Sequence, residues 1–86
     1  MPQQAPPAPG LGEFIRTTRE GLGLTTAQLG DAIGVHQTTI SRWELGRNLG
    51  PVAHHAPDLA NALGAEVEVI HRLWWEAKGG YLAAAA

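Results

Sequence analysis

Residues 24–46, LTTAQLGDAIGVHQTTISRWELG, constrain the fold of this chain most, because they predict two short helices joined by a tight turn. Thr25 and Gln28 have the spacing of a capping box, which starts a helix. Gly34 lies where a residue without a Cβ most easily adopts the left-handed conformation that ends one. Between these signals, the first helix has an apolar face at helical spacing, predicted to be Leu29, Ala32 and Ile33.

The second helix of the pair is predicted over residues 37–45, with Gly46 ending it. Ile40 and Trp43 form its buried side, and Trp43 is predicted to belong to the core rather than to stack on a base. The polar side chains on the other side are Gln37, Thr38, Ser41 and Arg42. Two helices joined so closely cross steeply, an arrangement that presents the second helix to a DNA major groove.

Composition limits the class of protein. Eighty-six residues allow one small domain, and the absence of cysteine excludes disulfides and thiolate metal sites. No apolar run is long enough to cross a membrane and no signal-peptide pattern is present, so we expect a cytoplasmic protein without a membrane partner. The net charge is −2, but residues 11–50 are neutral and the acidic excess falls after Pro51. We therefore expect few phosphate contacts and weak non-specific DNA binding.

The segment boundaries follow from the same reading. Residues 1–10 hold four of the six prolines and no charge, which predicts a disordered arm, and residues 82–86 are predicted to be a frayed tail. The globular domain is predicted over residues 11–64. Its helices are expected at 11–21, 26–33, 37–45 and from Pro57 to Leu63, with a loop over residues 47–56. The first of these helices is predicted to bury Leu11, Phe14 or Ile15, Thr18 and Leu22.

Residues 65–81 are predicted to be a dimer or partner segment. The run EVEVI (residues 66–70) alternates like a strand, yet Val67, Ile70, Leu73, Trp74 and Ala77 also form a helical stripe. Lys78 and Gly79 favour a helix end, so we predict a helix, with a short strand paired across a dimer as the alternative. The candidate contact residues are Ile70, Trp74 and Trp75, because adjacent tryptophans cannot both be buried on one narrow helix face.

Four motifs, TREGLGLT, AQLGDAIGV, TTISRWELG and PDLANALG, resemble in order and spacing the phage-repressor/Cro type of helix-turn-helix, or xenobiotic-response-element (XRE) family. The resemblance covers residues 11–64. It implies an all-α, lambda-repressor-like bundle of about five short helices that binds double-stranded DNA, most often as a homodimer. It also implies a regulator of transcription, which we expect to be a repressor.

The resemblance assigns DNA contacts residue by residue. Gln37, Thr38 and Arg42 match base-reading positions, and Ser41 lies on the same side of the helix. Glutamine can contact adenine with two hydrogen bonds, and arginine can do the same with guanine. The positions that match backbone contacts are Thr26, Thr39, Arg47 and Asn48. His36 matches the N-cap of the recognition helix, where it is expected to act as a poor cap or to reach the DNA backbone.

Two further expectations concern the scaffold. Arg19 and Glu44 match a structural pair that links the first helix to the end of the third. Gly30 stands where relatives usually have alanine. Because glycine inside a helix costs about 1 kcal/mol relative to alanine, we predict that Gly30→Ala stabilises the domain.

Other function classes have little support in the sequence. His36, His54, His55 and His71 lack the spacing of convergent zinc ligands, so neither a metal nor another cofactor is expected. No phosphate-binding loop or nucleophile–base arrangement is present, which argues against an enzyme. The alternative to a DNA-binding repressor is an antitoxin-like interaction module that docks a toxin-like protein partner through residues 66–81.

Overall fold

The computed structural model describes residues 10–78, and in this range the chain is all-α, without a strand. It contains five helices, α1 Leu11–Gly21, α2 Thr26–Ile33, α3 Gln37–Glu44, α4 Val52–Leu63 and α5 Val67–Ala77. The prediction of an all-α bundle of about five short helices is confirmed. The predicted arm and tail lie outside the described residues, except that Gly10 is the N-cap of α1.

The helix-turn-helix, α2 and α3, has the local signals that its sequence predicts. Thr25 Oγ1 accepts the Gln28 N–H at 3.0 Å, and Gln28 Oε1 accepts the Thr25 N–H at 2.9 Å, so the capping box is complete. Gly34 ends α2 with a positive φ of 81°. The third helix ends one residue earlier than predicted, at Glu44, and Leu45 is its C-cap.

The beginning of α4 corrects the sequence analysis. The predicted loop over residues 47–56 is too long, because α4 begins at Val52 and includes Pro57 in its interior. The helix-starting proline is Pro51, which directly precedes the first helical residue. Pro57 removes one hydrogen bond to the helix backbone. The extra turn nevertheless forms, because it fully buries Val52 and Ala56 against the rest of the core.

Residues 67–77 form a helix rather than the alternative strand, and this helix packs against α4 and α1. Its buried residues, Ile70 and Leu73, join a core that contains contributions from all five helices. Trp43 is completely buried at the centre of that core, as predicted. Two predicted core residues are exposed instead, Leu22 at the C-cap of α1 and Ala32 on α2. Ala32 directly precedes Ile33 and lies on the solvent side of the face of α2 that buries Leu29, Gly30 and Ile33.

Gly30 packs directly against the turn between α2 and α3, and the prediction that Gly30→Ala stabilises the domain is therefore wrong. A Cβ at this position would lie 2.5 Å from the Val35 carbonyl oxygen, which is backbone and cannot rotate away. The same turn is closed by a hydrogen bond from the Val35 N–H to the Gly30 carbonyl at 2.9 Å. The absence of a side chain allows the turn to approach α2 this closely.

Candidate nucleic-acid interface

One side of α3 carries a row of exposed polar side chains. Gln37, Thr38, Ser41 and Arg42 are all solvent-exposed. They form two pairs, 37/41 and 38/42, each separated by four residues, so they occupy neighbouring positions along the helix surface. Ile40 and Trp43, on the opposite side, have no exposed surface. The burial of Ile40 and Trp43 therefore fixes which side chains α3 presents to a partner.

The N-terminal end of α3 is capped by a histidine. His36 Nδ1 accepts the Thr38 N–H at 3.1 Å and lies 2.8 Å from Thr38 Oγ1. In the neutral ring that makes this bond, the proton resides on Nε2, because Nδ1 is the acceptor. His36 is thus the N-cap, as the family resemblance implies, and its exposed ring lies beside the first two residues of the polar row.

The C-terminal end of α3 turns sharply into the loop that leads to α4. Gly46 adopts a φ of 78°, and the Arg47 N–H returns to the Arg42 carbonyl at 2.8 Å. These are the left-handed residue and the hydrogen bond of a Schellman motif. Asn48 also has a positive φ, 52°, in the region that asparagine tolerates better than most residues. Arg47 and Asn48 consequently project from a well-defined turn and are exposed.

Two indole N–H groups hold the loop after α3. Trp43 Nε1 donates to the Asn48 carbonyl at 3.1 Å, and Trp74 Nε1 donates to the Leu49 carbonyl at 2.7 Å. Trp43 also packs on the His55 ring, with centroids 5.8 Å apart. The first tryptophan comes from α3 itself, whereas the second comes from α5, so the loop is fastened to two different helices.

Arg19 and Glu44 form a two-point ion pair between α1 and the last residue of α3. Arg19 Nε lies 2.6 Å from Glu44 Oε2, and Arg19 NH2 lies 3.0 Å from Glu44 Oε1. Arg19 NH1 also donates to the Leu24 carbonyl at 2.8 Å. Only 11% and 8% of the two side chains are exposed. The hydrogen bonds to Glu44 raise the pKa of Arg19, so this guanidinium belongs to the scaffold and remains charged.

The candidate backbone-contact residues surround the polar row. Thr26 is the first residue of α2 and Thr39 belongs to α3, and both are half-buried. Arg47 and Asn48 are exposed on the turn after α3. Thr39, Arg47 and Asn48 therefore lie within α3 or directly after it, whereas Thr26 begins the preceding helix, and which of them touches DNA stays a prediction.

The three candidate partner residues on α5 have different environments. Ile70 is completely buried in the core, so the prediction that it contacts a partner is wrong. Trp74 is half-buried and its N–H is engaged with Leu49. Trp75 is 50% exposed and is the remaining candidate of the three. The helical stripe on α5 serves mainly intramolecular packing, because α5 covers α4 and α1.

Two features of the scaffold were missed in the sequence. A Cβ at Gly12 would lie 2.5 Å from the Glu44 carbonyl oxygen and 2.6 Å from that of Trp43, so α1 approaches the end of α3 at this glycine. A glycine inside an amphipathic helix pattern is the signal that indicates such a contact. The hydrogen bond from Trp74 to Leu49 has no comparable signal, because it joins residues 25 positions apart.

Comparison with known families agrees with this geometry. The family model described as a helix-turn-helix domain matches residues 10–73, and the chain therefore belongs to that family. Members of this family are XRE-like domains and are typically non-enzymatic, and the membership indicates a DNA-binding regulator. No curated protein and no solved structure gives a significant match. Over the part of the chain that the structure describes, none of the helices is long and apolar enough to cross a membrane.

Proposed function

We propose that this protein is a sequence-specific regulator of transcription that reads double-stranded DNA with α3 in the major groove. The observation that carries the proposal is the exposed row Gln37, Thr38, Ser41 and Arg42, opposite the buried Ile40 and Trp43. An exposed polar side is ordinary for a surface helix, and what supports base reading here is that its residue types match the donors and acceptors of base edges. The close succession of α2 and α3, which pack against each other, and the family membership support the same conclusion.

The side chains of the row match the chemistry of base edges. Gln37 is suited to adenine N6 and N7, and Arg42 is suited to guanine O6 and N7. Thr38 can contact a base edge or a thymine methyl group, and Ser41 can donate or accept a hydrogen bond. Gln37 and Arg42 are the two residues that we expect to discriminate most strongly between sequences, because each can make two bonds to one base.

The residues around the row are suited to phosphate oxygens. His36 before α3, Thr39 within it and Arg47 and Asn48 after it offer imidazole, hydroxyl, guanidinium and amide donors, and Thr26 offers a hydroxyl at the start of α2. Phosphate contacts fix the register of a protein on DNA without reading sequence. We therefore assign these residues to positioning and the exposed row to base reading.

We further propose that the protein acts as a homodimeric repressor. A two-fold dimer would place two copies of α3 in successive major grooves, about 34 Å apart. The half-exposed Trp75 on α5 supports an interface at that helix, because a large apolar side chain is costly to leave in water. In this proposal Trp75, rather than Ile70 or Trp74, contributes the apolar contact.

The test is selection of binding sites from random duplex DNA. We expect the wild-type protein to enrich an inverted repeat. Arg42→Ala and Gln37→Ala should each relax the preference at one base pair per half-site and cost about 1–3 kcal/mol of binding free energy. Arg72→Ala, which removes an exposed cation from α5, is the matched control and should retain the wild-type motif.

Two outcomes would contradict parts of the proposal. Equal loss of affinity on every DNA sequence for Arg42→Ala would make Arg42 a phosphate contact rather than a base reader. Failure of the wild-type protein to enrich any sequence at low salt would exclude sequence-specific reading. An enriched single half-site without a repeat would exclude the dimer while retaining the reading helix.

The second candidate is an antitoxin-like module that docks a toxin-like protein through α5. The exposed Trp75 also favours this function, because the same surface can receive a different protein instead of a second copy. Trp75→Ala distinguishes the two. In a homodimer it should yield monomers by sedimentation of the protein alone, whereas in the antitoxin it should leave the free protein unchanged and abolish a complex with the partner.

A further inference from the structure

An open groove lies beside α3, between that helix, the loop after it and the C-terminal end of α5. Its volume is about 660 Å³. Thr39 and Arg42 of α3, Asn48 and Gly50 of the loop, and Lys78 after α5 contribute to its lining. The groove therefore adjoins the proposed DNA-reading surface but also includes a residue that lies outside the helix-turn-helix.

The charged side chains that line the groove are both cations. Arg42 and Lys78 are the ionisable side chains in its lining, and both are cationic and exposed. The ion pairs found among residues 10–78 involve the cations Arg16 and Arg19, so neither groove cation is neutralised by a carboxylate in that range. Two uncompensated cations across one groove favour an anionic ligand.

The backbone of Lys78 is connected to the loop through Trp74. Lys78 follows Trp74 by four residues and therefore lies on the same side of the helix. The Lys78 N–H donates to the Trp74 carbonyl at 3.0 Å, so the last turn of α5 is closed. Because the Trp74 indole is bonded to Leu49 at 2.7 Å, the end of α5 is fastened to the loop that borders the groove.

We propose that the end of α5 is a further DNA-contacting segment, in which Lys78 binds a backbone phosphate and Trp74 positions it. The inference rests on the proposed function, since the anion next to a reading helix is the DNA backbone. It adds a phosphate contact from outside the helix-turn-helix to those expected from Arg47 and Asn48. It also gives α5 a role in binding DNA that is separate from contacts with a protein partner.

The principal test is the salt dependence of binding by Lys78→Gln, measured on the selected duplex and on an unrelated duplex. Loss of one phosphate contact should weaken binding to both sequences by the same factor and lower the slope of log affinity against log salt by about 1. Arg72→Gln is the matched control, because it removes the same charge from α5 at a position outside the groove. It should retain the wild-type slope.

A second pair of variants tests the positioning role. Trp74→Phe keeps an aromatic ring but removes the N–H that binds Leu49, whereas His71→Gln changes an exposed ring elsewhere on the same helix. Trp74→Phe should lower the salt slope, and adding Lys78→Gln to it should lower the slope by less than the same change does in the wild type. His71→Gln should have no effect on the slope.

The results separate this inference from the proposed function. If the wild-type protein selects a DNA sequence and Lys78→Gln has the wild-type affinity and slope, the inference is overturned and the proposed function stands. If the wild-type protein does not bind DNA, both are overturned. If Lys78→Gln lowers the slope but Trp74→Phe does not, Lys78 binds phosphate without help from Trp74 and the positioning role is wrong.

Discussion

The N-terminal end of α3 is held by residues close to it in the chain, whereas its C-terminal end depends in addition on residues from across the fold. At the first end, His36 caps the helix and Gly30 allows the preceding turn to approach α2. At the second, Arg19 binds Glu44 and Trp74 binds the Leu49 carbonyl, both over 25 positions of sequence.

This difference separates two tasks within one recognition helix. Gln37 and Thr38, which we propose to read bases, lie at the end that local sequence specifies. The loop that we propose to grip phosphates follows the end that depends on α1 and α5. Changes in the rest of the domain should therefore alter phosphate contacts, and base reading by Arg42 in the last turn of α3, more easily than base reading by Gln37 and Thr38.

The largest effect is expected from breaking the long-range contact between α1 and α3. Glu44→Ala leaves the largely buried Arg19 without its partner, and the free energy of unfolding should fall by about 3–5 kcal/mol. Urea unfolding followed by tryptophan fluorescence measures this loss. Glu44→Gln, which retains an oxygen acceptor, should lose less and provides a measurable variant if Glu44→Ala does not fold.

The control for this experiment is Glu20→Ala. Glu20 lies 3.8 Å from Arg19 but its side chain is 56% exposed, so its removal should cost no more than about 1 kcal/mol. Equal losses for Glu44→Ala and Glu20→Ala would show that the pair does not hold the end of α3. The hydrogen bonds to Glu44 raise the pKa of Arg19, so the stability that its charge contributes is fully present below the ordinary arginine pKa and is lost only as the pH rises through the higher value in the folded protein. Stability should therefore show no titration of Arg19 near neutral pH.

The next effect concerns the tight turn before α3. Gly30→Ala should lower the free energy of unfolding by about 1–3 kcal/mol, because the added methyl group would overlap the Val35 carbonyl. Gly21→Ala is the control, since a Cβ there meets nothing within 4 Å and can only gain helix propensity. Thermal unfolding of the two variants should give shifts of opposite sign. A higher melting temperature for Gly30→Ala would show that the turn can move away from α2.

These two regions also show what the sequence could predict. The capping box at Thr25, the stop at Gly34 and the polar row on α3 depend on neighbours in the chain, and each can be recognised from residue type and spacing. The same local reasoning gives the wrong prediction for Gly30→Ala. Helix propensity takes no account of the Val35 carbonyl oxygen, which packing brings close to Gly30. Family resemblance, rather than any local pattern, indicated that Arg19 and Glu44 belong together.

Elsewhere the sequence was misleading because tertiary burial outweighed local preference. Pro57 looked like a helix start, yet burial of Val52 and Ala56 extends α4 through it. Ile70 and Trp74 are predicted from the sequence to contact a partner, because nothing in the sequence shows that α5 folds back over α4 and the loop after α3. The groove next to Lys78 could not be predicted for the same reason.

The smallest effect is expected from removing the side chain that caps the N-terminal end of α3. His36→Ala removes the side chain that accepts the Thr38 N–H and should cost about 0.5–2 kcal/mol, whereas His36→Ser should retain or improve the cap. Because this contact is local, His36→Ala should accelerate amide hydrogen exchange in the first turn of α3 by more than the overall loss of stability predicts. Exchange in the loop around Leu49 should change only by the amount that the overall loss of stability predicts. His71→Ala, an exposed histidine on α5, is the control for a simple change of residue type. Equal acceleration of exchange at both ends of α3 would contradict the proposal that the two ends are held independently. It would mean that the cap and the long-range contacts stabilise one cooperative unit.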